Sequence, residues 1–229
     1  MRPPVPSLNT MMLLAVSDLN RRAANALVSL KARDGDTSRA IWVAKGMIVA
    51  TESNVVVERL GDMLAAEGRL DPVLIEPVAK EARKRGTLLG NQLVTDGLLS
   101  PTDLASALER QARLRFEAAL AAPGAVSVVT KAMPDPMVRI PLGSAVTAAF
   151  RSRISLPAIQ NLIAERQSQP IALDVESDLF LRLEVGPSEL RVCRGAAAGQ
   201  SFEELIASSP APESATRMIG VLVALGLWA

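Results

Sequence analysis

The sequence predicts an α+β protein, with a small antiparallel sheet, an inserted α-helical repeat and then a mostly helical C-terminal region. Three observations carry this expectation. First, "AIWVA" and "MIVAT" flank Lys45-Gly46, the form of a tight β-hairpin in which glycine supplies a positive φ. Second, "RLGDMLAAEGRLDP" from Arg59 and "LLGNQLVTDGLLSP" from Leu88 are nearly the same sentence, offset by 29 positions. Third, the stretch from Pro187 onward divides into three short helical runs.

Taken in order, residues 1–9 are rich in proline and predict extended chain. Apolar spacing after Asn9 suits a helix, followed by a strand at Leu27–Ala32 and a turn at Asp34-Gly35. The hairpin comes next. From about Val56 to Ala121 the pattern is helical, and each repeat copy opens with two leucines one turn apart, Leu60 with Leu64 and Leu89 with Leu93. Gly68 stands where a helix C′ glycine belongs, since glycine takes the left-handed conformation without penalty. Asp71-Pro72 and Ser100-Pro101 pair an N-cap side chain with proline at N1, and Asp103 adds a carboxylate near the positive helix end. The two copies are thus matched helix–turn–helix units, and each can cover the apolar face of the other.

A short strand is expected at Ala125–Val129, and the prolines of Met133–Gly143 predict a linker between residues 1–132 and 144–229. Beyond it, Ser144–Arg153 and Leu156–Arg166 read as helices, and "IALDVESDLFLRLEV" as a strand pair or irregular extended chain. Helices follow at Pro187–Arg194, Ser201–Ser208 and Pro212–Leu225, with capping-box spacing between Ser201 and Glu204. Three such helices fit a helix-turn-helix or winged-helix unit.

Composition narrows the function. The chain of 229 residues has a formal net charge of +1, so no global field favours nucleic acid or anionic lipid. No apolar run reaches the ~18 residues of a membrane span, and prolines occupy the place of a signal peptide's apolar segment. The lone Cys193 fits a reducing cytoplasm and a small buried apolar position. Histidine and tyrosine are absent altogether, which excludes Ser-His triads and most zinc sites. No phosphate loop or paired-carboxylate motif stands in their place, so the chain reads as a binding or regulatory protein that needs no cofactor. Trp42 is expected to anchor the core, and Trp228 to cover the terminal helices or an interface.

The hairpin "AIWVAKGMIVAT" and the later strand "AVSVV" resemble the halves of a PATAN domain, from about Leu8 to Lys131. That resemblance implies a strand–turn–strand followed by helices, with a last strand closing the sheet. The segment from "SELRVC" to "LVALGLW" is similar to the small winged-helix-like module that often follows PATAN domains in bacterial regulators. The repeat itself resembles the cyclic di-GMP-binding N-terminal domain of secretion and type IV pilus ATPases. That domain uses two 24-residue motifs with a five-residue spacer, and Arg59–Ala82 and Leu88–Gln111 reproduce this length and spacing. The resemblance implies a ligand site made of Arg59, Leu60, Gly61, Leu64, Leu89, Gly90, Leu93 and Gln111. Copy one carries Ala82 where the family has glutamine, and copy two carries Leu88 where it has arginine. A guanidinium stacks on a base or forks onto phosphate, and leucine does neither. Lys80, Arg83, Lys84 and Arg85 are near enough in sequence to supply charge, or simply complement a helix C-terminus.

Gly61 and Gly90 fall in the first turns of helices, where glycine costs about 1 kcal/mol relative to alanine. Close approach of a helix or of a ligand would compensate. The first reading of the whole is a non-enzymatic, cytoplasmic bacterial signalling or scaffold protein acting through protein–protein recognition. The resemblance implies a response-regulator receiver, a small GTPase or its regulators, or a motility or polarity complex as partner. The second is a cyclic di-GMP sensor working through the repeat. The third is a DNA-binding regulator, for which the last helix offers only Arg217.

Overall fold

The computed structural model describes residues 8–165 and 182–227. Helix α1 (Thr10–Arg22) begins at Asn9, whose side chain accepts from the Met12 N–H. Strands β1 (Ala26–Ala32), β2 (Ser38–Ala44) and β3 (Met47–Ser53) follow as an antiparallel meander. The Asp34 carboxylate accepts from the N–H groups of Asp36 and Thr37 and so closes the first turn. In the second, Lys45 and Gly46 both have positive φ, 50° and 73°, the geometry whose twist matches that of paired strands. The hairpin is therefore where the sequence places it.

A short 3-10 turn at Val56–Glu58 leads into the repeat, formed by α2 (Leu60–Ala66), α3 (Pro72–Lys84), α4 (Leu89–Thr95) and α5 (Pro101–Ala121). After these helices, β4 (Gly124–Val129) returns to pair with β1, and β5 (Ile140–Pro141) pairs with β3. The sheet order is β4-β1-β2-β3-β5, antiparallel throughout. The remaining described helices are α6 (Leu142–Ser152), α7 (Leu156–Ala164), α8 (Pro187–Ala197), α9 (Phe202–Ala207) and α10 (Pro212–Ala224). An α+β fold with an antiparallel sheet and an inserted helical repeat is what the sequence predicted.

Burial assigns the residues to three cores. The largest gathers Val28, Leu30, Ile41, Val43 and Ile48 from one sheet face with α1, the C-terminal half of α5, α6 and α10. Its members span both sides of the proline-rich stretch. That stretch, expected as a linker, is docked onto the sheet: the N–H groups of Met137 and Val138 reach the Val49 carbonyl. Val138 and Ile140 are both buried there, because their two-residue spacing turns both side chains to the same face. A second core belongs to the repeat. A third, on the outward sheet face, joins Trp42, Val49 and Ala50, with the Lys131 ammonium 5.4 Å from the Trp42 ring centre. Trp42 is buried as expected, but it anchors this small outer cluster and not the main core.

Helix α10 has an exposed first turn, and from Met218 to Ala224 every residue is buried. At Gly220 a methyl group would come within 2.5 Å of Ile159 and 3.1 Å of Phe150, so only glycine admits this packing. Ser201 and Glu204 form the expected capping box. Cys193 is fully buried, and desolvation pushes its thiol up to about 12, which leaves it an inert core residue. The N-terminal proline stretch before Leu8, residues 171–181 of the expected strand pair, and Trp228 lie outside the described residues. No helix among the described residues is long and apolar enough to cross a membrane.

Candidate functional site

The repeat builds its own core before it builds a site. In copy one the Gly68 N–H bonds to the Ala65 carbonyl and the Arg69 N–H to that of Leu64. In copy two Gly97 and Leu98 make the same bonds to Val94 and Leu93. Both glycines have φ near +70°, so both helices end in the same left-handed cap. The next helices start alike, with Asp71 accepting from the Val73 N–H and Ser100 from that of Asp103. The Ser100 hydroxyl also donates to the Asp103 carboxylate; this bond and the Arg69 guanidinium hold that carboxyl below its usual range. With their ends fixed, the helices bury Met63, Leu64, Leu70, Val78, Leu93, Leu99 and Ala107 together.

The glycines show how tightly the copies interlock. A methyl group at Gly61 would fall 2.8 Å from Ile75 and 3.4 Å from Leu89. At Gly90 it would fall 2.7 Å from Leu104 and 3.4 Å from Leu60. Each glycine therefore receives the branched side chain of its own second helix and the leading leucine of the other copy. Helix packing is what compensates the helical cost of glycine here. Gly61→Val and Gly90→Val are each expected to lower stability by about 1–3 kcal/mol through overpacking. Urea denaturation measures this, and unchanged or increased stability would show that the glycines are not packing positions.

A groove opens on this unit, with a volume of about 450 Å³. Arg59 and Leu60 of copy one meet Leu88, Leu89, Gly90 and Asn91 at the start of copy two, with Leu104, Leu108, Gln111 and Arg115 from α5 and Met137 from the docked segment. Five of the eight residues implied by the resemblance thus come together: Arg59, Leu60, Leu89, Gly90 and Gln111. Gly61, Leu64 and Leu93 do not line it; Leu64 and Leu93 are fully buried in the repeat core. The two polar residues implied by the resemblance, Arg59 and Gln111, therefore share one groove. Leu88 stands at its rim, 61% exposed, at the position where the resembling repeat carries arginine.

The basic cluster has a different fate. Lys80, Arg83, Lys84 and Arg85 are exposed at the end of α3, and none lines the groove. Arg83 pairs with Glu76, and Arg85 and Lys84 with Glu81, as expected of a solvated helix C-terminus.

Beneath the groove lies a polar joint to the sheet. The Gln111 side-chain amide donates to the Glu58 carbonyl at 2.8 Å, and Arg115 donates to the carbonyls of Glu58 and Thr51 at 2.9 and 2.8 Å. The Glu58 carboxylate receives Arg39 from β2 in a forked pair at 3.0 and 3.1 Å from its Nε, with both side chains almost fully buried. Arg115 Nε is the one buried side-chain nitrogen or oxygen without a hydrogen-bond partner among the described residues. Desolvation pulls the Arg115 guanidinium below its usual value, with Glu58 and Glu52 opposing and Arg39 adding to it. Sequence reasoning missed Arg115 and Glu58. The signal for Arg115 was its place four residues after Gln111, one turn along the same helix face.

The groove offers guanidinium, amide and leucine side chains, a set suited to stacking, hydrogen bonding and apolar contact. A larger hollow, about 550 Å³, lies over the outward sheet face on small residues such as Ser29, Ala40 and Ser127. At the C-terminal end, α10 is the helix that a DNA-binding reading would send into a groove. It is instead buried, and its Arg217 donates to the carbonyls of Phe150 and Ile154 at the end of α6. Comparison of the chain with known protein families, characterised proteins and solved structures finds no match.

Proposed function

We propose that this chain is a non-enzymatic signalling or scaffold protein whose recognition element is the leucine-lined groove of the repeat, and that its partner is a protein. The supporting observation is Leu88: where the resembling nucleotide-binding repeat carries arginine, an exposed leucine extends an apolar groove. A protein partner's apolar side chain gains by covering it, at about 25 cal/mol per Å² buried, while a phosphate gains nothing. The return of β4 to β1 after the inserted helices supports the PATAN-like assignment. The partner class that follows is cytoplasmic signalling machinery of the receiver or small-GTPase kind. Purified candidates of these classes are expected to bind the full chain and to lose at least tenfold in affinity with Leu88→Glu, whose melting temperature should stay at the parent value. Equal affinity for Leu88→Glu would remove the groove from this role.

A second reading is supported by the meeting of Arg59, Gln111 and Arg115 on one groove, which suits an anionic, planar ligand such as cyclic di-GMP. Calorimetry at ligand concentrations of about 100 μM separates the two. Heat that disappears in a folded Arg59→Ala variant establishes the second reading, and no heat eliminates it.

A further inference from the structure

We propose that β4 is the dimer interface of this protein: two copies pair their β4 strands antiparallel about a two-fold axis through Ser127, joining two sheets into one. The two ends of the sheet differ in kind. The β5 end is two residues long and holds Pro141, a short edge that cannot recruit a strand. The β4 end is a six-residue strand, "GAVSVV", without charge, proline or bulge along it; among the described residues Asn9 reaches its first carbonyl, at Gly124, and the rest of the edge carries none of the usual protections.

Its open groups can be named. The Arg33 N–H bonds to the Pro123 carbonyl, so position 123 faces β1. Alternation then turns Ala125, Ser127 and Val129 toward β1 and the N–H and C=O groups of Val126 and Val128 outward. Among the described residues no backbone group meets Val126 or Val128 on that side. The side chains at the edge are also uncovered. Val128 is 49% exposed on the helix face and Val129 50% exposed on the other face. Helix α1, which packs on β4, shows Met11 and Leu14 to solvent as well.

The strand's own sequence points to a second copy as the occupant. Across a two-fold axis each charge meets its own image, and Gly124–Thr130 carries none. With Ser127 opposite Ser127 of the other copy, Val126 faces Val128, Ala125 faces Val129 and Gly124 faces Thr130. Centring on Val126 would bond Val128 to Gly124, whose carbonyl already accepts from the Asn9 side-chain amide at 3.4 Å, and centring on Val128 would bond Val126 to Thr130, beyond the strand. The Ser127 register alone draws its central bonded pairs from the two open strand residues, Val126 and Val128. It makes Val126–Val128 a hydrogen-bonded pair, twice over, and Ser127 the close non-bonded pair, with Cα atoms about 4.5 Å apart.

The experiment is sedimentation velocity on the full chain with charge-swapped variants. The parent protein is expected at twice its 24.2 kDa mass, in a concentration-dependent equilibrium with monomer. Ser127→Lys and Ser127→Glu, on an exposed face, should each be monomeric with unchanged circular dichroism. Their equimolar mixture should recover the dimer, because lysine then meets glutamate. A parent protein monomeric at about 100 μM overturns the proposal. So does a dimer that Ser127→Lys leaves intact, or a mixture that stays monomeric, including the case where another protein's strand takes the edge.

Discussion

Glu58→Ala is expected to destabilise the protein by about 3–5 kcal/mol, because it leaves the Arg39 guanidinium buried without its counter-charge. The pair has the geometry that makes such a loss severe: two forked bonds from Arg39 Nε, and side chains 9% and 4% exposed. With its side chain only 9% exposed, Arg39 meets little water to replace the lost carboxylate, so most of the cost of burying the cation remains. The loss extends to the groove, since the Glu58 backbone carbonyl takes the Gln111 and Arg115 bonds that set the start of α2. Urea denaturation gives the magnitude. The double variant Arg39→Met/Glu58→Leu is expected to recover most of the stability, as replacing both buried charges removes the penalty. A loss below about 1 kcal/mol in Glu58→Ala would mean that the pair is solvated.

Phe116→Ala ranks with it, at about 3–5 kcal/mol, by a different cause. Phe116 is fully buried on α5 within the main core, beside Ala112, Ala119 and Leu120. Removing the ring leaves a cavity that the sheet on one side and α6 on the other are too well fixed to fill. Its effect should show equally in near-ultraviolet circular dichroism and in chemical denaturation, as one cooperative transition shifted to lower urea. Two separate transitions would instead show the repeat and the sheet unfolding independently.

Much of this was legible in the sequence because local signals agreed with the global fold. The Lys45-Gly46 turn, the Gly68 and Gly97 caps and the Pro72 and Pro101 starts are local choices with one low-energy answer each. The 29-residue offset reappears in the interlock, where Gly61 meets Ile75 and Leu89 and Gly90 meets the equivalent Leu104 and Leu60, although the sequence left helix and ligand approach both open. The docking of Met133–Gly143 was not legible, because proline signals punctuation whether the chain then leaves the surface or lies on it. Nor was the polar joint. Arg39, Glu58 and Arg115 come from β2, a 3-10 turn and α5, far apart in sequence, and nothing local brings them together. For the same reason the sequence could list Leu64 and Leu93 with the site, while only the packing distinguishes a leucine that faces a groove from one that faces its own repeat.

Helix α5 is 21 residues long and belongs to two interiors at once. Ala107 lies in the repeat core, while Ala112, Phe116, Ala119 and Leu120 lie in the main one. At 1.5 Å per residue it extends about 31 Å, well past the unit it completes. The repeat is therefore not a cassette that can be lifted out at its motif boundaries. A fragment ending at Gln111 would drop Phe116 and strip the sheet of its cover, and one ending at Ala121 would carry that apolar face bare into water. Transplanting the groove to another protein means transplanting a socket for the far half of α5 along with it.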